Sequence, residues 1–239
     1  MVATGCHLDI GQIDGAFYDW DHRAVHCGVD LDADTDNGSG SIDSALDRAA
    51  DKGEVAELYA HHPTVTIPDS TIEYVLAGAQ QRGLTFYTYE DLADPETPAG
   101  PGLALSFDDT SVDDWVATLP LFEQYAAHVT FFVSRYRYLS DAQHAELHTL
   151  ADAGNAIEAH TVLHLRGPEY VEDHGLDAYM NDEIMPSISA LRDEGFPVNA
   201  FAYPFGARTT DTDKAILGTV KVLRSVSFTW NVVASPCPR

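Results

Sequence analysis

Short apolar runs alternate along this chain with helical patterns. That alternation restricts the fold more than any other feature, because strands separated by helices pair in parallel and bury both faces of their sheet. Residues 55–60, 84–89, 103–107, 129–133, 156–159, 198–203 and 222–226 read as strands, joined by another at 25–31. Leu176, Tyr179, Met180, Ile184, Ile188 and Leu191 recur at helical spacing ahead of Gly195, a stripe expected in the core rather than on a binding surface. Helices are also expected over 42–50 before Gly53 and from Ser140 to a stop at Gly154. Residues 91–102, rich in Pro and Gly, form the one obvious internal linker, and the acidic stretch 30–40 reads as a surface loop. No internal repeat is visible. The expected class is α/β, and 239 residues with 45% hydrophobic content can bury a substantial core in what is expected to be one domain.

Thirty-eight acidic residues against 13 basic ones give a net charge of -25. Such a surface repels nucleic-acid phosphates and anionic membranes, so no nucleic-acid partner is expected. The same acidity suits a high-salt surface or a cationic substrate or product. No run of about 18 apolar residues occurs, and no membrane span is expected. Cys6, Cys27 and Cys237 are too few for a disulfide framework, although one bridge among them would imply an oxidising compartment. Residues 1–6 look faintly like the end of a lipoprotein signal, but without the charged and apolar segments that precede one they read as coincidence. Nothing in the sequence fixes an oligomeric state.

The chemistry begins at Leu103-Ala104-Leu105-Ser106-Phe107-Asp108-Asp109, where a buried strand delivers two adjacent carboxylates to the sheet's carboxyl end. One can bind a metal while the other, kept off it, accepts a proton from water. Taken alone, the pair would also serve as a helix cap. His160 and His164 follow another strand end, and their spacing lets two imidazoles converge on one ion from a turn or short helix. A carboxylate with two imidazoles suits Zn2+ and accepts Co2+, Ni2+ or Mn2+.

Ser106-Phe107-Asp108-Asp109, Thr130-Phe131-Phe132-Val133, His160-Thr161-Val162-Leu163-His164 and Tyr203-Pro204-Phe205-Gly206 occur in this order, and the series resembles the polysaccharide deacetylase family, the NodB-homology domain of carbohydrate esterase family 4, over roughly residues 101–228. The resemblance implies an irregular (β/α) barrel and a metal-dependent hydrolase removing acetyl groups from N-acetylated sugars of a polysaccharide. Carried over by position, Asp108 would be the general base, and Asp109, His160 and His164 the metal ligands. An extracellular or cell-envelope location is also implied.

Two departures stand out. Many members place an Arg before the Pro of the third motif to tether the base; here Tyr203 precedes Pro204, leaving Arg208 and Arg23 as candidate replacements. The family also closes with a strand ending in a catalytic His after the third motif. Residues 55–63, 72–83 and 84–89 look like that ending placed ahead of the first motif, and Asp19-Trp20 resembles the Asp-Trp of the fourth. A circular permutation is therefore expected: one domain over 1–239, with 1–90 resembling the family's carboxyl-terminal elements, 91–102 bridging the old ends and 103–239 bearing the motifs. Chain ends usually lie close together, so Met1 and Arg239 should be neighbours, with strand 222–226 feeding toward strand 25–31. The rival is an independent amino-terminal domain of about 95 residues. Under the permuted reading His61 is the catalytic acid, with His62 as the alternative because strand alternation turns only one inward. Asp19 would orient it and raise its pKa, and a Tyr203 backbone N–H would help hold the oxyanion. Tyr203, Pro204, Phe205 and Trp20 are the candidate substrate contacts; Tyr59 and Tyr136 could also stack on sugar rings.

Overall fold

Strands apolar on both faces leave no face for solvent, and this chain meets that demand by closing its sheet on itself under a jacket of helices. The structure, a computed structural model, describes residues 7–228 and Cys237. Its strands are β1 (Phe17–Tyr18), β2 (Val25–Asp30), β3 (Val55–Ala60), β4 (Thr85–Phe86), β5 (Gly102–Asp109), β6 (Thr130–Val133), β7 (Ala156–Ala159), β8 (Ala200–Ala202) and β9 (Val222–Ser227). All except β1 and β4 form a seven-stranded parallel barrel. Each barrel strand pairs with the next in the chain, and β9 pairs back on β2 from Val25↔Leu223 to Val29↔Ser227. β3 and β2 therefore belong to the same ring as the motif-bearing strands rather than to a sheet of their own.

The barrel is irregular at its amino end. β3 pairs with β5 along its whole length, so its other edge is shared, with β1 at Val55 and Ala56 and with β2 at Leu58 and Tyr59. β5 divides its second edge in the same way, between β4 at Gly102 and Leu103 and β6 from Ser106 onward.

Alternation along each strand sorts side chains between two cores. On β5, Leu103, Leu105 and Phe107 face the helices, while Ala104 lies in the lumen with Phe132, Ala200, Ala202 and Val222. The small lumen residues leave room for buried polar groups. Glu57 accepts a hydrogen bond from the Tyr89 hydroxyl (2.9 Å) and pairs with His26 Nδ1 (3.1 Å). On the outside, α1 (Ser39–Lys52) buries Ile42, Ala45, Leu46 and Ala49 and stops at Gly53, whose φ of 73° suits glycine. α2 (Asp69–Gln81) precedes β4 and α3 (Tyr89–Ala93) follows it; α4 (Val112–Gln124) and α5 (Asp141–Asp152) flank β6; α6 (Gly167–His174), α7 (Leu176–Tyr179) and α8 (Met185–Asp193) fill the span from β7 to β8, and α9 (Thr210–Ile216) leads into β9. Ser140 begins α5 as expected, accepting the Gln143 N–H in a capping box.

One expected strand is mostly not one. Within 84–89 only Thr85–Phe86 pairs, because the Thr88 side chain accepts the Asp91 N–H and starts α3 there. The expected linker thus begins inside a helix.

Of the three thiols, Cys27 of β2 is bridged to Cys237. Cys6, and the expected meeting of Met1 with Arg239, lie outside the described residues. Among the described residues no helix is long and apolar enough to cross a membrane. The bridge closes a loop with a sequence separation of 210 residues and ties the chain's end to the barrel. Reduction should therefore lower the unfolding free energy by about 2–4 kcal/mol. Urea midpoints with and without dithiothreitol measure this, and coincident curves would show that the bridge adds nothing.

Candidate active site

β5 ends in Asp108 and Asp109, and the backbone there sends the two carboxylates to different jobs. Asp108 keeps the strand's alternation and points into the lumen, 3% exposed. Its Oδ2 pairs with Nη2 of Arg224, itself buried on β9. Asp109 has a φ of 85°, which turns it out of strand geometry toward two imidazoles. His164 Nε2 lies 3.2 Å from Asp109 Oδ1 and His160 Nε2 3.8 Å from it. His160 follows β7, and His164 sits on an irregular turn, not a helix, with φ of 69° at Thr161 and 61° at His164. Left-handed backbone at Asp109, Thr161, His164 and Phe205 concentrates strain at this mouth of the barrel.

The donor set fits a divalent cation. One ligand atom each from Asp109, His160 and His164 falls within a 4.8 Å cluster. His160 Nδ1–H donates to the Ala202 carbonyl (2.8 Å), which leaves Nε2 with its lone pair toward the cluster. Burial, then the neighbouring His164, push the His160 pKa down to about 3, so the ring is neutral, as a ligand must be. Burial lowers the His164 pKa as well.

The cluster opens into a cavity of about 430 Å3 whose lining includes Asp108, Arg224, Tyr59, Asp30 and His61. His61 follows β3, the ring neighbour of β5, and its Nδ1 lies 2.5 Å from Asp32 Oδ2. Burial would lower the His61 pKa. The hydrogen bond to Asp32 and the charges of Asp108, Asp32 and Asp30 outweigh it and push the value up to about 9. Asp30, half-buried beside Asp32, is raised to about 6 by desolvation and by the Asp32 charge. His62 turns the other way, with Nε2 2.5 Å from Asp114 Oδ2 on α4. The alternation argument thus resolves to His61 as the imidazole facing the cavity.

Several expected partners lie elsewhere. Asp19 does not orient His61; it pairs with Arg23, which also holds Asp21 and the Phe17 carbonyl. Arg208 pairs with Asp213. The counter-charge on Asp108 is instead Arg224, across the lumen. Trp20 is at the wrong end of the barrel for substrate: its Nε1–H donates to Gly100 O, and its ring meets Tyr18 and Tyr87 near the start of β5. The Tyr203 backbone N–H is already committed to Arg224 O (3.0 Å), and its hydroxyl donates to Asp213 (2.9 Å), so it offers no oxyanion donor. Tyr203 lines the cavity beside the buried Pro204, while Phe205 is 54% exposed, its ring 4.8 Å from that of His164. Tyr136 stacks on His144, outside the cavity lining. The missed residues had faint signals: Arg224 is the one basic residue inside the apolar strand run 222–226, and Asp32 stands just past the end of the run 25–31.

An α/β barrel with a carboxylate–imidazole cluster at the carboxyl ends of its parallel strands defines a class of candidate metal-dependent hydrolases. The polysaccharide deacetylase profile matches residues 96–219, just over half of the sequence, and the chain belongs to that family. Its fold is similar to that of the Streptococcus pyogenes deacetylase PplD in complex with acetate, at 19% identity and a TM-score of 0.56, covering 76% of this chain and 93% of that one. IcaB from Ammonifex degensii is likewise 19% identical with a TM-score of 0.58, over 73% of this chain and 83% of its own. The deacetylase domain of BpsB from Bordetella bronchiseptica is 14% identical with a TM-score of 0.52, over 74% and 83%. No curated protein sequence matches significantly.

Because the folded state favours the imidazolium of His61, its pairing with Asp32 contributes stability below the ordinary value of 6.5, and that contribution is lost as pH rises through about 9. NMR titration should place His61 near pH 9 and move it toward neutrality in Asp32→Asn. Titration near 6.5 in the parent protein would contradict the assignment.

Proposed function

We propose that this chain is a metal-dependent deacetylase acting on N-acetylated sugars of a polysaccharide or oligosaccharide, with Asp109, His160 and His164 as ligands, most simply of Zn2+. The observation that carries the proposal is the arrangement around one cavity: a three-residue ligand cluster, the Arg224-paired Asp108 beside it, and the Asp32-paired His61 on the neighbouring strand. When bound, the cation supplies Lewis acidity that makes water easier to deprotonate and the acetyl carbon easier to attack. Asp108 accepts the proton of the attacking water at Oδ1, a buried atom with no hydrogen-bond partner among the described residues. Arg224 holds the other oxygen, fixing the carboxylate's orientation. His61, with Asp32 on Nδ1, presents Nε2–H to the departing nitrogen, so acetate and a free amine result. Phe205, exposed at the rim under the Arg166 guanidinium, gives a sugar ring a face to stack on, with Tyr203 also in the cavity lining.

The same reading takes the chain as one circularly permuted domain over 1–239. In a closed ring of consecutive parallel strands every neighbour pair survives a change of starting point, so β2 and β3 can lead without altering the barrel. The Cys27–Cys237 bridge favours an oxidising compartment, extracellular or at the cell envelope.

Acetate release from N-acetylglucosamine oligomers, compared with peptidoglycan and acetylxylan fragments, tests the proposal. Release should require a divalent cation, stop with chelator, and fall about 10²–10⁴-fold in Asp108→Asn and in His61→Ala. Glycan binding without acetate release at saturating Zn2+, Co2+, Ni2+ or Mn2+ would instead identify a non-catalytic relative. The protonated His61 also predicts an alkaline limb near pH 9.

A further inference from the structure

The turn that carries His164 is held from behind by a side chain with no role in the chemistry above. Glu183 is 1% exposed. Its Oε2 accepts the backbone N–H of Val162 (3.1 Å) and of Leu163 (2.8 Å). Thr161 Oγ1 in turn accepts the N–H of His164 (2.9 Å). One carboxylate thus gathers two consecutive backbone N–H groups of the segment between the two imidazoles. That segment needs such support, because Thr161 and His164 both adopt left-handed backbone that L-residues avoid.

The local sequence explains how Glu183 arrives there. Pro186 cannot donate a hydrogen bond to the preceding helical turn, and residues Met180–Ile184 ahead of it are wound as a π-helix between α7 and α8. The wider turn buries Glu183 and Ile184 together, so the helix keeps its apolar stripe through Tyr179, Ile184, Ile188 and Leu191 while adding a carboxylate to the same side. An apolar side chain would fill that space without the desolvation cost of a carboxylate, which indicates that the acceptor itself is needed.

We propose that Glu183 is a positioning residue of the metal centre, setting the 161–164 turn so that His164 Nε2 faces Asp109; this rests on the metal-site reading above. Co2+ titration of the chelated and dialysed protein, followed by its visible absorption, tests it. Glu183→Leu should weaken Co2+ about 10–100-fold and alter the spectrum, whereas Glu183→Gln, which keeps one oxygen able to accept both N–H groups, should stay within about 3-fold of the parent. Parent-like affinity and spectrum in Glu183→Leu, or equal loss in both variants, would overturn the role. Should the leucine variant not fold, amide exchange in the parent protein decides: Val162 and Leu163 should be strongly protected, and rapid exchange at both would refute the contact. A parent protein that binds no Co2+ overturns the metal reading itself, a different outcome from a leucine variant that binds normally.

Discussion

A buried ion pair spans the barrel lumen from Arg224 on β9 to Asp108 on β5, and the site is arranged around it. Removing either partner would leave an uncompensated charge in a low-dielectric interior, a cost of about 3–5 kcal/mol in typical proteins. Two aromatic faces further accommodate the guanidinium, with Tyr59 4.6 Å and Phe132 5.1 Å from it. With Asp108 anchored inward, the next residue must turn out of the strand to be useful. The positive φ of Asp109 makes that turn and brings its carboxylate to His160 and His164.

Ring closure makes the rest possible. β5 contributes the two carboxylates, β7 leads to the histidines, β3 leads to His61, β2 leads to Asp32, and β9 supplies Arg224. These groups are scattered along the sequence, yet each stands at a carboxyl mouth or in the lumen of one closed parallel barrel, where consecutive strands are neighbours. Helix packing contributes as well as strand pairing, since the π-wound turn before Pro186 supports the His164 segment from outside the ring.

What the sequence reveals and what it hides follow the range of the interactions. Residues 55–60 and 156–159 are read correctly as strands because each is a short, mostly apolar run, Glu57 and Glu158 being buried with their neighbours. The run 84–89 misleads because a local Thr88–Asp91 capping box outcompetes β propensity. The Asp108–Asp109 pair, His160 and His164 are legible as candidates because residue type, strand-end position and spacing are all local signals, whereas the division of roles between the two carboxylates rests on the family resemblance. The charge partners are not. Arg23 and Arg208 are as basic as Arg224, and Asp19 as acidic as Asp32; only the closure of β9 on β2, and of β2 on β3, decides which of them reach the lumen. Trp20 shows the same limit, since its side chain meets the opposite end of the barrel from the site.

The central claim is that Asp109, His160 and His164 share one cation beside Asp108, and anomalous diffraction from a Zn2+-soaked crystal addresses it most directly. The account predicts a single strong zinc peak within bonding distance of a carboxylate oxygen of Asp109 and of Nε2 of both histidines, with Asp108 still held by Arg224. The described residues also hold a second cluster with metal-binding potential, Asp30, Asp32 and His61. A peak there with none at Asp109, or no peak at either place, would contradict the account.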